Sequence, residues 1–321
     1  MRQPPQERLF AHRNLPMQYR AAMGSGLKHY QSLISDSARW RLFEPRPGDV
    51  IISTPPKCGT TLSQMLCALV LFDESDFPGR MDDLSPWLDQ RTRSDDEVLA
   101  QLEAHTHRRF IKTHTPLDGV PEWTDVTYVT VGRDPRDVFV SWEHHVENMN
   151  RENLFSAIDG AVGFDKVLSF IGESPDTIEE RYDLWLVNDS PTVPMSLAIV
   201  AGHLEAAWQR RNRPNVELFH FEELRADRAA AMTRLAAAFD VDLSSERIEE
   251  LAGAASIDRM RDRADDLAPN TKGIFQDSTR FFRSGEGGDW RSFVTPEQDA
   301  VYWQRIDELM SPELRDWLHR S

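Results

Sequence analysis

The chain of 321 residues has only two cysteines, Cys58 and Cys67. Two thiols on one apolar stretch make neither a disulfide framework nor a metal-ligand set. Elsewhere no cluster of histidine, cysteine and acid falls at metal-ligand spacing, so no metal is expected. No apolar run approaches the roughly 20 residues that a membrane span needs. The opening residues lack the apolar core of a secretory leader, which points to a cytoplasmic protein without an integral membrane segment. Positive charge is also short. Against 53 acidic residues stand 37 basic ones, a net charge of −16. Such a surface excludes nucleic acid, a polyanionic polysaccharide or an anionic membrane as the main partner. A small anionic ligand is not excluded, because it answers to local charge. Repeats and low-complexity segments are absent. What remains is the composition of a folded globular protein, 40% hydrophobic and 28% charged.

Residues 49–72 organise the chain. Val50, Ile51 and Ile52 are a β-branched run, which predicts a buried strand ended by Pro55 and Pro56. Leu62, Met65, Leu66, Leu69 and Val70 recur at helical spacing, so a helix follows from Thr60. Between them lies Lys57-Cys58-Gly59-Thr60-Thr61. A helix start offers unpaired amides and a partial positive charge. Gly59 allows close backbone approach, Thr60 and Thr61 add hydroxyls, and Lys57 adds a full charge. The order is not that of a Walker loop, in which glycine precedes the lysine. Alone, the stretch also reads as a proline-rich turn before a helix.

A second strand, Arg109 to Ile111, ends in Lys112-Thr113-His114-Thr115-Pro116. Ligands of open parallel sheets gather at such C-terminal strand ends. Trp87, after Pro86, is a candidate wall for an apolar acceptor pocket. A third strand over residues 126–132 leads into Arg133-Asp134-Pro135, with Asp134 suited to the N-cap and Pro135 to the first helical position. Ser141 lies about two turns on. His144 and His145 follow and read as solvated. Residues 143–195 have no clear period and read as a lid or insertion beside the acceptor site. Further on, the sequence predicts a helix over 196–211, a strand over 214–221 and an alanine-rich helix over 222–242. Arg283-Ser284-Gly285-Glu286-Gly287-Gly288-Asp289-Trp290 could wrap an anion or be a surface hairpin. Thr295 to Gln298 reads as a capping box. Residues 1–44 read as a partly helical N-terminal arm. The expected fold is α/β: one domain over 1–321, with a P-loop-like central parallel sheet flanked by helices on both faces.

Pro-Lys-x-Gly-Thr-Thr at 56–61, Lys-Thr-His-x-Pro at 112–116, Arg-Asp-Pro-Arg-Asp at 133–137 with Ser141, and Arg-x-Gly-x-x-Gly-Asp-Trp at 283–290 occur in one order. Together they resemble the soluble sulfotransferases that use 3′-phosphoadenosine 5′-phosphosulfate (PAPS), in a bacterial style. The resemblance runs from about residue 46 to the last helix. It implies sulfonyl transfer from PAPS to the hydroxyl or amine of a small neutral or lipophilic acceptor, such as a phenol, alcohol or glycolipid. By this resemblance His114 is the general base, Lys57 serves the leaving phosphate and Lys112 the sulfonyl oxygens. Lys57, Cys58, Gly59, Thr60, Thr61 and Leu62 surround the 5′ side of the donor. Arg133, Ser141, Ser256, Arg283, Ser284 and Gly285 take the 3′-phosphate, and Ser141 restrains Lys57.

Some positions depart from the pattern. Cys58 stands where serine is usual, and Ser284 where lysine is common. Leu62 and Ile257 stand where aromatic rings hold adenine. The family's dimer motif would fall on Arg291, Thr295, Pro296 and Ala300 and is not preserved. The rival readings are a small-molecule kinase and a non-catalytic nucleotide-binding protein.

Overall fold

The computed structural model describes residues 26–77, 79–163, 175–191, 193, 195–283 and 286–320. Four parallel strands form the central sheet: β1 (Val50–Ser53), β2 (Phe110–Thr113), β3 (Thr127–Gly132) and β4 (Val216–His220), in the order β2-β1-β3-β4. Side chains alternate faces along a strand, and both faces are covered. Val50, Ile52, Phe110 and Val129 enter one core with Met65, Leu69, Leu235 and Leu251. Ile51, Ile111 and Tyr128 enter the opposite core with Trp40, Trp123 and Ala207. The register explains the sorting, because Ile51 pairs with both Ile111 and Tyr128, while Val50 pairs with Phe110. A strand buried on both faces reads as a continuous apolar run, which is why the Val50–Ile52 signal is strong.

The helices that position the site begin with α1 (Thr60–Phe72), directly after β1. Next is α2 (Asp95–Ala104), capped by Ser94. After β3 comes α3 (Pro135–Glu147); the Asp134 side chain accepts from the Arg136 amide and proline opens the first turn. Residues 143–195 are not one irregular segment. Within their described part lie the end of α3, then α4 (Arg151–Val162) and α5 (Ile178–Val187). Asn150 caps α4, and Thr177 with Glu180 forms a capping box on α5. These polar signals start helices whose apolar faces are short.

Ser196 caps α6 (Leu197–Trp208). The alanine-rich stretch after β4 is two helices, α7 (Phe221–Ala226) and α8 (Arg228–Phe239). The break is at Asp227, whose carboxylate accepts from the Ala230 amide and so starts a new helix. Then follow α9 (Ser245–Ala254) and α10 (Ile257–Asp262). A capping box from Thr295 and Gln298 opens α11 (Pro296–Leu309), and α12 (Pro312–Leu318) comes last. Of the proposed N-terminal arm, residues 1–25 lie outside the described ones. Over residues 26–44 the helical content is a 3-10 helix, Ser37–Leu42. Trp40 and Phe43 from this part are buried beside Trp123, so packing rather than helical periodicity holds it. Among the described residues no helix is long and apolar enough to cross a membrane.

Candidate active site

The loop between β1 and α1 turns through two left-handed residues, Lys57 (φ 68°) and Gly59 (φ 87°). For a lysine that conformation is strained. Arg133 supports it by donating to the Lys57 carbonyl at 3.2 Å. Gly59 is required twice over. A Cβ there would meet the Phe221 ring at 2.8 Å, and the positive φ disfavours any other residue. Thr60 opens the helix with its hydroxyl 2.6 Å from that of Thr54. Cys58 points away from the loop's open side. It is fully buried in a core with Val138, Tyr182 and Leu197, and its amide donates to the Pro55 carbonyl. Burial pushes the thiol up to about 12, which makes it inert rather than reactive.

At the end of β2 the backbone is clamped by Asp89. Thr113 donates to its carboxylate at 2.6 Å, and Thr115 and the Trp87 indole donate to it as well. His114, between the two threonines, is thereby aimed the other way. Its ring meets Trp87 edge-on at 4.8 Å, and Nδ1 lies 2.8 Å from the Thr54 carbonyl. A carbonyl only accepts, so Nδ1 carries the proton and Nε2 presents a lone pair. Burial first, then the nearby Lys112 charge, holds the imidazole well below its ordinary value. Lys112 rests over the same indole, its Nζ 4.6 Å from the ring centroid, and burial lowers its pKa.

The Arg133 guanidinium lies 4.3 Å over Phe221. On the far side, Arg283 pairs with Asp289 at 3.0 Å. The Gly288 amide donates to Asp137 at 2.6 Å and so ties this loop to α3. At Gly287 a Cβ would strike the Asp137 carboxylate. Ser284 and Gly285 lie outside the described residues.

One cavity of about 420 Å³ brings these parts together. Lys57, Gly59, Thr60, Thr61, Leu62, Lys112, His114, Arg133, Ser141 and Arg283 all line it. Cys58 and Ser256 do not. The Ser256 hydroxyl caps α10 by accepting from the Arg259 amide, while Ala255 and Ile257 beside it reach the cavity. Trp87 lines the wall, as the sequence suggested. His145 was misread as solvated. It lines the cavity with Nδ1 3.3 Å from Lys57 Nζ. The signal was its place four residues after Ser141, one turn along the same helix face. Asp89 was also missed, because its threonine donors lie 24 and 26 residues further along the chain.

The cations repel one another. Lys57 is pushed down to about 7, by burial first and then by Arg133, Lys112 and Arg283. Such a cluster suits a multiply charged anion. The nucleotide implied by the sequence pattern fits on this chain's own features. Arg133 Nε is buried without a hydrogen-bond partner, Gly59 leaves a cradle that a Cβ would close, and the amides and hydroxyls of the α1 start are phosphate donors. Among the described residues no group of acids, histidines and cysteines could hold a metal.

Comparison with known proteins agrees. Residues 47–314 match the sulfotransferase domain. A glycolipid sulfotransferase of Mycobacterium bovis is 40% identical over 308 residues, covering 91% of this chain and 94% of that one. Another of Mycobacterium tuberculosis is 40% identical over 307 residues, with the same coverage. Rabbit (Oryctolagus cuniculus) amine sulfotransferase is 24% identical over 285 residues, covering 86% and 83%. In fold, retinol dehydratase crystallised with retinol and PAP superposes with a TM-score of 0.67 at 19% identity, covering 93% and 96%. A mouse sulfotransferase complexed with PAP gives 0.63 at 19% identity, covering 87% and 91%. The chain therefore belongs to the PAPS-dependent sulfotransferase family.

Proposed function

We propose that the chain transfers the sulfonyl group of PAPS to a hydroxyl of an amphiphilic acceptor, with a glycolipid as the first class to test and an amine as the variant. The observation that carries this reading is the single cavity shared by Lys57, Lys112, Arg133, Arg283 and His114. Bound PAPS supplies an activated sulfonyl group. Arg133, Ser141 and Arg283 hold the 3′-phosphate through charge and hydroxyl donation. The Gly59 amide with Thr60 and Thr61 holds the 5′-phosphate. Lys57 donates to the departing phosphate oxygen, and Lys112 neutralises charge on the sulfonyl oxygens. His114 Nε2 takes the acceptor proton as the new O–S bond forms and the S–O bond to the phosphate breaks. Leu62 and Ile257 offer adenine apolar packing in place of rings, at a cost of about 1 kcal/mol in lost stacking.

The acceptor class follows from the remaining lining of the cavity. It mixes polar Gln90, Thr92 and Arg93 with apolar Ile34, Met149, Leu154 and Ile274. Leu154 and its apolar neighbours form a small separate cluster with Leu33 and Ile158. A sugar head with a lipid tail matches that mixed lining, and the mycobacterial relatives carry glycolipid in their names. The described part of residues 143–195 then borders the acceptor mouth, because α3, the short connection after it and α4 supply His145, Met149 and Leu154 in turn. The test is transfer from labelled PAPS to matched panels of glycolipids, phenols, simple alcohols and amines. Preference for an amphiphilic hydroxyl supports the reading. Transfer confined to small phenols removes the acceptor class but leaves the reaction.

A further inference from the structure

Among the described residues the Lys57 side chain has one hydrogen-bond partner, and it is neither a carboxylate nor Ser141. Its Nζ lies 3.3 Å from His145 Nδ1 and 4.6 Å from the Phe281 ring centroid. An ammonium has donors and no acceptor, so Nδ1 must offer its lone pair and the ring proton must sit on Nε2. Burial and then the Lys57 charge hold this imidazole well below its ordinary value. It is a neutral acceptor facing a cation. The ring is also fixed in place. Its centroid lies 4.8 Å from Phe275, 5.5 Å from Trp142 and 5.7 Å from Phe281. A held acceptor beside a lysine amine on a strained loop is a device for choosing where the amine points.

We propose that His145 is a positioning residue whose Nδ1 tethers Lys57 in the donor-free cavity and competes with the donor for its ammonium. This rests on the reading of Lys57 as partner of the departing phosphate. The tether suppresses wasteful hydrolysis. In that side reaction water replaces the acceptor, an S–O bond to water forms, the S–O bond to the phosphate breaks, and adenosine 3′,5′-bisphosphate and sulfate are released, with the water's two protons passing to solvent or to the bisphosphate. The restraint that the family pattern gives to Ser141 falls to His145 here.

Two readouts test the tether. The first uses donor-free protein and an amine-acetylating reagent, with Lys57 modification followed by peptide mass and Lys112 as internal reference. His145→Phe keeps an aromatic ring but removes the acceptor. It raises the Lys57 rate about tenfold or more, as expected for loss of a hydrogen bond to a charged group. His145→Asn carries Oδ1 near the place of Nδ1 and stays within about twofold of wild type. Should H145F not fold, His145→Leu serves the same comparison. The second readout is sulfate release from PAPS without acceptor, relative to transfer, which rises in H145F and returns in H145N. Equal Lys57 labelling in all variants overturns the proposal, as does a rise shared by H145N and Lys112. The labelling needs no donor. A labelling difference in a protein that does not bind PAPS leaves the contact standing and removes the donor reading instead.

Discussion

Thr54 joins the base to the anion loop: its carbonyl accepts from His114 Nδ1 at 2.8 Å, and its hydroxyl meets Thr60 at 2.6 Å. One residue at the end of β1 thus sets the tautomer of His114 and the first turn of α1. The arrangement matters because a base and a phosphate site that move independently lose alignment, and alignment is much of catalysis.

His114→Ala is expected to lower kcat by about 10²–10⁴-fold, the range for loss of a general base. Affinity for adenosine 3′,5′-bisphosphate should change little. Calorimetric titration of the variant beside its turnover separates the two effects. Retained turnover contradicts the assignment.

The pH profile of kcat/KM reports groups of the free enzyme. His114 must be neutral to act, and its pKa is held well below 6.5. The acid limb therefore falls below the ordinary histidine range. Lys57 must be charged, and its value of about 7 sets an alkaline limb near neutrality. In kcat that limb moves up, because the bound donor's negative charge favours the ammonium. An alkaline limb unchanged between kcat/KM and kcat speaks against Lys57.

Arg133→Lys keeps a positive charge but loses the fork that spans the Lys57 carbonyl and leaves Nε free for the ligand. Affinity for adenosine 3′,5′-bisphosphate should drop about tenfold or more, while that for 5′-AMP stays near its starting value. Comparing the two ligands by thermal shift or calorimetry checks this. Equal losses for both would place Arg133 elsewhere.

Much of this site was legible in the chain. Val50–Ile52 announced a two-sided strand, Asp134-Pro135 a helix start, and the dispersed Lys, His and Arg positions converge on one cavity. The illegible parts have physical reasons. Helices α4 and α5 show a weak apolar face and are set by caps at Asn150 and Thr177. The break at Asp227 is one side-chain hydrogen bond inside a helix-forming run. His145 looked like a surface histidine because its aromatic partners, Phe275 and Phe281, come from a distant loop. Asp89 is invisible for the same reason, since its donors Thr113 and Thr115 lie on β2 and just beyond it.

His203, on α6, is 2% exposed, and burial pushes it down to about 4. Its pKa is lower folded than unfolded, so between about 6.5 and 4 the unfolded chain binds more protons. Stability is then full above 6.5 and falls as pH drops toward 4, by roughly 3 kcal/mol from this group. Denaturant melts of His203→Leu against wild type at pH 7.5 and 4.5 should show a smaller acid loss in the variant. An identical acid loss would contradict the buried neutral histidine.

The central claim is that the cations of the cavity and His114 serve one sulfonyl transfer. Its most direct measurement is a single-turnover incubation of the protein with sulfur-labelled PAPS and a hydroxyl-bearing glycolipid, with label and adenosine 3′,5′-bisphosphate counted together. The account predicts label on the acceptor in equal amount to the bisphosphate released, with both formed at least about 10²-fold more slowly in His114→Ala. Bisphosphate released with all of the label in free sulfate, or label transfer undiminished in His114→Ala, would contradict it.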